Sequence, residues 1–153
     1  MKLATRIFGE VDIEDNKIIN FPNGIIGFPD LKRFTLMHDE EQGTGTIKWL
    51  QSIEEPGFAM PVLDPLIVCP DYKPDIDKDK IECIGELEDD GLLVLVTVTV
   101  PHDLTKMTVN LKGPFIINVA DMKASQTIID NDEYPVKFPI YEILQKNKEA
   151  KEG

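Results

Sequence analysis

The run LLVLVTVTV at residues 92–100 is the strongest indication of how this chain folds. Successive residues of a strand point to opposite faces, and both faces of this run begin with Leu or Val. One face stays apolar as far as Val100, whereas the other becomes polar at Thr97 and Thr99. A strand that is apolar on both faces is buried on both, so we expect it at the centre of a closed or sandwiched sheet.

Two hairpins are predicted from shorter runs of strand-forming residues. Residues 6–13 alternate between apolar and polar, and residues 17–21 follow after a polar turn, so these two runs are expected to pair. Residues 107–112 and 115–119 are expected to pair in the same way across Gly113-Pro114. Each hairpin would place two antiparallel strands side by side in the sheet.

Other segments complete a chain that is mostly strand. Pro61 cannot donate a hydrogen bond to a ladder, so the predicted strand at 58–63 is expected at an edge or a bulge. Helix is scarce, with one short turn predicted at 77–84 and a helical spacing of apolar residues at 140–151. Further strands are predicted at residues 34–37, 47–52 and 124–129.

The length suits one domain, since 153 residues are enough to bury a core. Short strands at regular spacing, punctuated by Pro and Gly, predict an all-β, antiparallel β-barrel-like single domain with minor short helices. We place this domain at residues 1–145 and a charged C-terminal tail at 146–153. A closed barrel and an open sandwich leave the same pattern in the sequence.

The chain is strongly acidic, with 16 Lys and Arg against 28 Asp and Glu and a net charge of −12. An acidic surface repels phosphate backbones, so no direct nucleic-acid binding is expected. The charge indicates either plain solubility or a basic partner protein. Residues 71–90 hold nine acids and three lysines, a net −6, and we hypothesise that this segment faces a basic partner or repels RNA.

The sequence indicates a cytoplasmic protein with no membrane association. No apolar run has membrane-spanning length. Residues 1–6 lead directly into a strand pattern without the apolar core of a secretion signal. The low cysteine count, Cys69 and Cys83 only, agrees weakly with a reducing compartment.

Catalytic and metal-binding motifs are absent from the sequence. There is no GxSxG, no phosphate-binding loop and no GxGxxG. Cys69 and Cys83 are fourteen positions apart, unlike the CxxC pairs of structural zinc sites. Residues 75–86 match the acidic positions of a calcium loop but carry Lys80 where that loop needs Gly. We therefore expect no cofactor, no metal and no enzymatic activity, although carboxylates that meet only in space leave no such motif.

The stretch FPNGIIGFPDLKRF at residues 21–34 keeps three Phe side chains in a turn-forming segment. Asn23 and Gly24 favour a type I′ or related turn, and Gly24 and Gly27 can adopt positive φ. One interpretation is that its large apolar side chains, Phe21, Ile25 and Phe28, fold under the turn and plug the barrel end. The other is that one apolar side chain stays exposed as an interface anchor, with Ile26 and Phe28 as the leading candidates.

The order of these residues resembles the FliW family of flagellar assembly factors. Residues 21–28, FPNGIIGF, are similar to the family signature F-x-x-G-I-x-G-F. Further matches follow in the family's order at Phe34, Leu36, LQS (50–52), Phe58, DP (64–65), Tyr72, VTVP (98–101), TVNLKGP (108–114), IN (117–118), Ala124, Gln126 and YP (134–135). The likeness covers about residues 3–145, and Gly113 departs from an expected Ala within a turn.

The resemblance implies a binding protein with an antiparallel β-barrel-like fold. Members of the family bind flagellin in the cytoplasm, and they also bind the RNA-binding translational repressor CsrA. They antagonise CsrA allosterically, so that flagellin translation follows flagellin export. The alternative is an export chaperone or structural adaptor that binds flagellin only. We expect a monomer when the protein is free.

Loops at a barrel rim are the expected partner contacts. The partner-binding candidates are Asp71, Tyr72, Asp75, His102, Asp103 and Leu104. The turn or rim candidates are Phe21, Asn23, Gly24, Ile26, Gly27, Phe28 and Asn110. Acidic side chains would steer a basic partner, and Tyr72 would offer a ring and a hydroxyl. The alternative is that these are ordinary solvated loop residues, with Asn110 bonded to a barrel end.

Overall fold

The computed structural model describes residues 2–6, 8–38, 47–74, 76, 84–85, 91–130 and 132–152. Its strands are β1 (Lys2–Thr5), β2 (Gly9–Asp12), β3 (Ile18–Asn20), β4 (Arg33–His38), β5 (Lys48–Ser52), β6 (Ala59–Leu63), β7 (Leu92–Thr99), β8 (Thr108–Val109), β9 (Phe115–Asn118), β10 (Lys123–Gln126) and β11 (Phe138–Pro139). Short 3₁₀ helices lie at Asp15–Lys17, Pro65–Ile67 and Leu104–Lys106, and the α-helix α1 spans Tyr141–Glu152. No helix in these residues is long and apolar enough to cross a membrane.

Seven strands close into a ring in the order β7-β6-β5-β4-β3-β10-β9, with β9 pairing again with β7. Six of the seven contacts are antiparallel. The exception is β3 with β10, which run parallel and share one register pair, Lys123 with Asn20. The sheet is therefore a closed barrel rather than an open sandwich, and the predicted fold class is confirmed.

Strand β7 carries a hydrophobic core on each of its faces, as its sequence predicts. Leu95 belongs to the inner core, formed by Ile19, Phe21, Ile25, Phe34, Leu50, Val62, Leu95, Phe115, Ile117 and Ala124. Val96 and Val98 belong to the outer core, formed by Leu63, Val68, Tyr72, Val96, Val98, Met107, Val109, Leu111 and Ile140. The inner core draws on every strand of the ring, so it fills the barrel, and the outer core lies on the other face of β7.

The predicted hairpin between residues 6–13 and 17–21 is wrong. Strand β2 pairs with β1, whereas β3 pairs with β4 and β10. Thr5 explains the difference, because its hydroxyl donates to Gly9 O at 2.8 Å and accepts from Phe8 N at 2.8 Å. These bonds close a β1–β2 turn, and the 3₁₀ helix at Asp15–Lys17 separates β2 from β3.

The predicted hairpin across Gly113-Pro114 is also wrong. Strands β8 and β9 pair antiparallel with β7, through Val109 with Val98 and through Phe115 with Leu95. Residues 110–114 form an insertion between them. The Asn110 side chain folds this insertion, since its Oδ1 accepts from Lys112 N and Gly113 N, both at 3.0 Å.

Strand β6 is not an edge strand, although it contains Pro61. It lies between β5 and β7 in the ring. Only Val62 and Leu63 pair with β7, so that pairing begins one residue after the proline, where an N–H is again present. The strands predicted at 34–37, 47–52 and 124–129 are found as β4, β5 and β10, the last ending at Gln126, and the helix predicted at 140–151 is α1. Most of the turn predicted at 77–84 lies outside the described residues.

Candidate functional site

The turn at residues 21–31 follows β3 and is closed by its own backbone. Gly24 N donates to Phe21 O at 2.8 Å, and Phe28 N donates to Ile25 O at 2.9 Å. Gly24 has a φ of 70° and Gly27 a φ of 89°, so the predicted positive φ angles are confirmed. Side chains rarely adopt this left-handed backbone, which explains glycine at both positions.

The turn sends some apolar side chains inward and leaves others in solvent. Phe21 and Ile25 are buried, and the Phe21 ring lies 5.3 Å from that of Phe34 and 5.7 Å from that of Phe115. Ile26 is 55% exposed and Phe28 is 47% exposed. The inward position is therefore confirmed for Phe21 and Ile25, whereas the role of Ile26 or Phe28 as an interface anchor stays a prediction.

Phe28 departs from the inward position that the plug interpretation gives it. Its ring lies against Phe58 at 4.8 Å and leaves the other side open to solvent. Gly27, which has no side chain to shield its neighbours, separates Phe28 from the exposed Ile26. The turn thus exposes two apolar side chains that lie two positions apart in the sequence.

A groove of about 560 Å³ separates the turn from the end of β10, and we call it the β10 groove. One wall consists of residues 23–27 and Pro29, which include Asn23, and the other of residues 125–128. Gln126 connects the two walls, since its Oε1 accepts from Ile26 N at 2.9 Å. Its Nε2 donates to Gly113 O at 3.1 Å, in the insertion at residues 110–114. The Gln126 side chain is therefore bonded both to the turn and to that insertion.

Glu54 fixes the far end of the turn, where the chain enters β4. Its carboxylate accepts from Lys32 N at 2.9 Å, from Arg33 N at 2.7 Å and from Arg33 Nε at 3.0 Å. Partial burial acts to raise the pKa of Glu54, but these hydrogen bonds and the Arg33 charge outweigh it and hold that pKa below its ordinary value. The turn is therefore held by a carboxylate that stays ionised at neutral pH.

Tyr72 is 7% exposed and belongs to the outer core, although the sequence predicts a partner contact for it. Its hydroxyl donates to Leu111 O at 2.5 Å, and its ring lies 4.6 Å from that of Tyr134. Asp71, immediately before it, is exposed, and its carbonyl accepts from the Tyr134 hydroxyl at 3.4 Å. The ring and hydroxyl of Tyr72 are thus used within the protein, and its partner contact stays a prediction.

Replacing Tyr72 with phenylalanine is expected to lower the free energy of unfolding by about 1 kcal/mol, because Leu111 O loses its donor. Burial, with smaller contributions from Tyr134 and Cys69, raises the pKa of Tyr72 above its ordinary value. A raised pKa gives stability that is complete below about pH 10 and is lost as the pH rises further. Urea unfolding from pH 7 to 11 should therefore show a steeper alkaline loss for the wild type than for Tyr72→Phe, and parallel curves would contradict this.

His102, Asp103 and Leu104 are exposed beyond the end of β7. The Asp103 carboxylate accepts from Thr105 N at 3.1 Å and from the Thr105 hydroxyl at 2.6 Å, which caps the 3₁₀ helix at Leu104–Lys106. Leu104 is 52% exposed on this helix. The cap fixes an apolar side chain in solvent beside an acidic one.

The candidates that the structure describes fall into two groups by the core that they adjoin. Asp71 adjoins Tyr72, and the 3₁₀ helix at Leu104–Lys106 is followed by Met107, so these described partner-binding candidates flank the outer core. The turn candidates flank the inner core through Phe21. Asn110 is half-buried and its side chain is bonded within its own insertion, and a role for it at the barrel rim stays a prediction.

Asp75 and most of the acidic segment at 71–90 lie outside the described residues, as does Cys83. Within the segment, Ile84 is fully buried and packs with Ile116. Asn118 Nδ2 donates to Ile84 O at 2.8 Å. In the part of the chain that the structure describes, no three His, Cys, Asp or Glu side chains are placed to hold a metal ion.

The wall formed by residues 125–128 was not predicted as a site. Ile128 is 44% exposed while Ile129 beside it is buried, and two adjacent isoleucines give no indication of which faces solvent. Gln126 belongs to the pattern shared with the FliW family, which was the available signal. Its bonds to Ile26 N on the turn and to Gly113 O explain what an amide contributes there.

Comparisons with known proteins agree along the whole chain. A family model described as FliW protein matches residues 2–140. The flagellar assembly factor FliW of Lachnoclostridium phytofermentans is 41% identical over 154 residues, covering 100% of this chain and 99% of the relative. That of Lachnospira eligens is 45% identical over 150 residues, covering 97% and 99%. A crystal structure of the flagellar assembly factor FliW, 28% identical, superposes with a TM-score of 0.83 and covers 92% of this chain and 96% of that one.

Proposed function

Because this chain belongs to the FliW family of flagellar assembly factors, we propose that it binds flagellin and the RNA-binding translational repressor CsrA in the cytoplasm. Flagellin and CsrA exclude one another from this protein. When flagellin is exported, the free protein captures CsrA and antagonises it allosterically, so that flagellin translation follows export. The protein acts by binding rather than by catalysis.

The observation that carries this proposal is the family match over residues 2–140, which includes every strand of the barrel. The charge supports it independently. A net charge of −12 favours a basic partner and disfavours nucleic acid, which suits a protein that acts on an RNA-binding repressor without touching the RNA.

Two exposed surfaces support a protein partner rather than a small molecule. Ile26 and Phe28 on the turn are about half exposed, and Leu104 is 52% exposed beside Asp103. Apolar side chains held in solvent by a rigid backbone are typical of protein interfaces. We propose that the turn and the Asp71 and Asp103 loops are the contact surfaces, with the acids steering a basic partner.

Titration calorimetry against purified CsrA, with and without saturating flagellin, tests the proposal. We expect CsrA to bind the free protein. Its apparent affinity should fall at least about tenfold when flagellin is bound, because the two partners exclude one another from this protein. Binding of flagellin alone would instead indicate an export chaperone or structural adaptor. Absence of binding to both partners would show that this protein shares the fold of the family without its function.

Charge variants locate the CsrA contact within the same experiment. Asp71→Asn with Asp103→Asn removes two charges, and Asn at 103 keeps an oxygen for the Thr105 cap. Glu10→Gln with Asp15→Asn removes two exposed charges elsewhere and is the matched control. Slower association at low salt for the first pair alone is expected, and equal rates for both pairs would contradict the placement.

A further inference from the structure

The barrel has one weak seam, where β3 meets β10. The pair shares a single register position, Lys123 with Asn20, and Asn20 N donates to Met122 O at 2.8 Å. Beyond this point the chain that follows β3 turns away at residues 21–31, while β10 continues. The β10 groove lies in the gap that this divergence opens, next to the side of β10 that β3 leaves uncovered.

The backbone of β10 faces this gap at Gln126. Thr127 N donates to Pro114 O at 3.2 Å and Ile129 N to Lys112 O at 2.9 Å, so these two residues direct their N–H groups toward the β9 side. Alternate residues of an antiparallel strand direct their backbone groups to opposite sides. The N–H and C=O of Gln126 therefore point toward the groove, where the ladder with β3 has already ended.

The walls of the groove favour an apolar segment, and the acids that adjoin the walls in the sequence favour positive charge at its ends. Ile26 is 55% exposed on one wall and Ile128 is 44% exposed on the other, and no charged side chain lines the groove. The acids nearest to the walls in the sequence are Asp30, which follows Pro29, and Asp130, two residues after Ile128. Both are exposed.

We propose that the β10 groove binds an extended segment of the basic partner, CsrA, as an added strand on the free side of β10; this rests on the proposed function. The Gln126 backbone supplies hydrogen bonds to the added strand, and Ile26 and Ile128 contact its apolar side chains at alternate positions. Asp30 and Asp130, which adjoin the walls in the sequence, attract Lys or Arg at the ends of the segment.

Charge and geometry select this occupant over others. A second copy of this chain carries the same net charge of −12, so the two copies would repel one another. Nucleic acid is disfavoured for the same reason. A helix could contact Ile26 and Ile128, but its backbone groups are already bonded internally and would leave those of Gln126 unpaired. An extended, basic segment satisfies both the strand edge and the charge.

The first test replaces Ile26 and Ile128 with glutamate and measures CsrA and flagellin binding by calorimetry. Both side chains are already exposed, so the fold is retained, and Val136→Glu, at a site 55% exposed elsewhere, is the matched control. We expect each groove variant to weaken CsrA binding at least about tenfold while the control binds as the wild type does. Wild-type CsrA affinity in both variants would overturn the proposal, as would a loss of flagellin binding alone.

The second test measures whether the backbone N–H of Gln126 becomes hydrogen-bonded when CsrA binds. Amide hydrogen exchange at Gln126, followed by NMR with and without saturating CsrA, is expected to slow at least about tenfold, because an added strand accepts from that N–H. The Asn23 amide, on the opposite wall, is the internal reference. Binding of CsrA with unchanged exchange at Gln126 would overturn the docking mode and leave the proposed function standing. Absence of CsrA binding to the wild-type protein would overturn both.

Discussion

Replacing Phe21 with alanine is expected to lower the free energy of unfolding by about 3–5 kcal/mol, the range for removing a large buried aromatic. Phe21 is fully buried and its ring contacts those of Phe34 and Phe115, on strands β4 and β9. The cavity left behind would lie in the middle of the inner core, where a closed ring of strands limits collapse. Urea unfolding monitored by circular dichroism measures the loss directly.

Phe28→Ala is the control for this prediction. Phe28 belongs to the same turn, but it is 47% exposed and its ring lies against Phe58. Because half of the side chain is already in water, we expect a loss of only about 1 kcal/mol. Equal losses for the two variants would mean that Phe21 does not anchor the turn to the inner core.

The second large effect is expected from Gly24→Ala, which should cost at least about 2 kcal/mol. Its φ of 70° is unfavourable for any residue with a side chain. An added Cβ would also collide with the carbonyl oxygen of Pro29 and lie 2.6 Å from Pro29 Cα. Both atoms belong to the backbone of the turn, so relief requires the turn itself to move. Thermal and urea unfolding give the size of the effect.

Gly27→Ala separates the two causes of that loss. Its φ of 89° carries a similar penalty, but an added Cβ there has nothing within 4 Å. We expect a loss of about 1 kcal/mol, from the backbone conformation alone. If Gly27→Ala were as costly as Gly24→Ala, the contact with Pro29 would contribute nothing and the turn would be more adaptable than its hydrogen bonds indicate.

The sequence predicts those parts of the fold that depend on local pattern. The alternation in residues 92–100 predicts a central strand apolar on both faces, and β7 has a core on each face. Asn23-Gly24 predicts a positive φ, and Gly24 has one. In each case the physical cause lies within a few residues, so it is visible in a single sequence.

Strand pairing was less predictable, because it depends on residues far apart. The two hairpin predictions were wrong because a side chain folds the backbone locally in each case. Thr5 closes the β1–β2 turn, and Asn110 folds the insertion between β8 and β9. The parallel contact between Asn20 and Lys123 has no local signal at all. Periodicity identifies a strand but does not identify its neighbour.

In the candidate site too, local features were predictable from the sequence and features that depend on distant residues were not. Composition identified 21–28 as an unusual turn, yet which of its side chains face solvent depends on how Phe58 and Phe115 pack against it. Tyr72 looked like a surface anchor because Asp and Lys surround it, but the outer core accommodates its ring and Leu111 accepts its hydroxyl. The partner contacts of Asp71 and Asp103 stay predictions.

The parallel seam between β3 and β10 also sets the order in which the chain can fold during synthesis. Strands β3 to β6 follow one another as neighbours, so they can pair as soon as they leave the ribosome. Asn20 and its partner Met122 are 102 positions apart, so the ring stays open until most of the chain has been made. Such distant contacts form slowly, and the nascent chain exposes the unpaired edge of β3 throughout that interval. Closure of the barrel is therefore the step at which a chaperone or a premature partner would compete with folding.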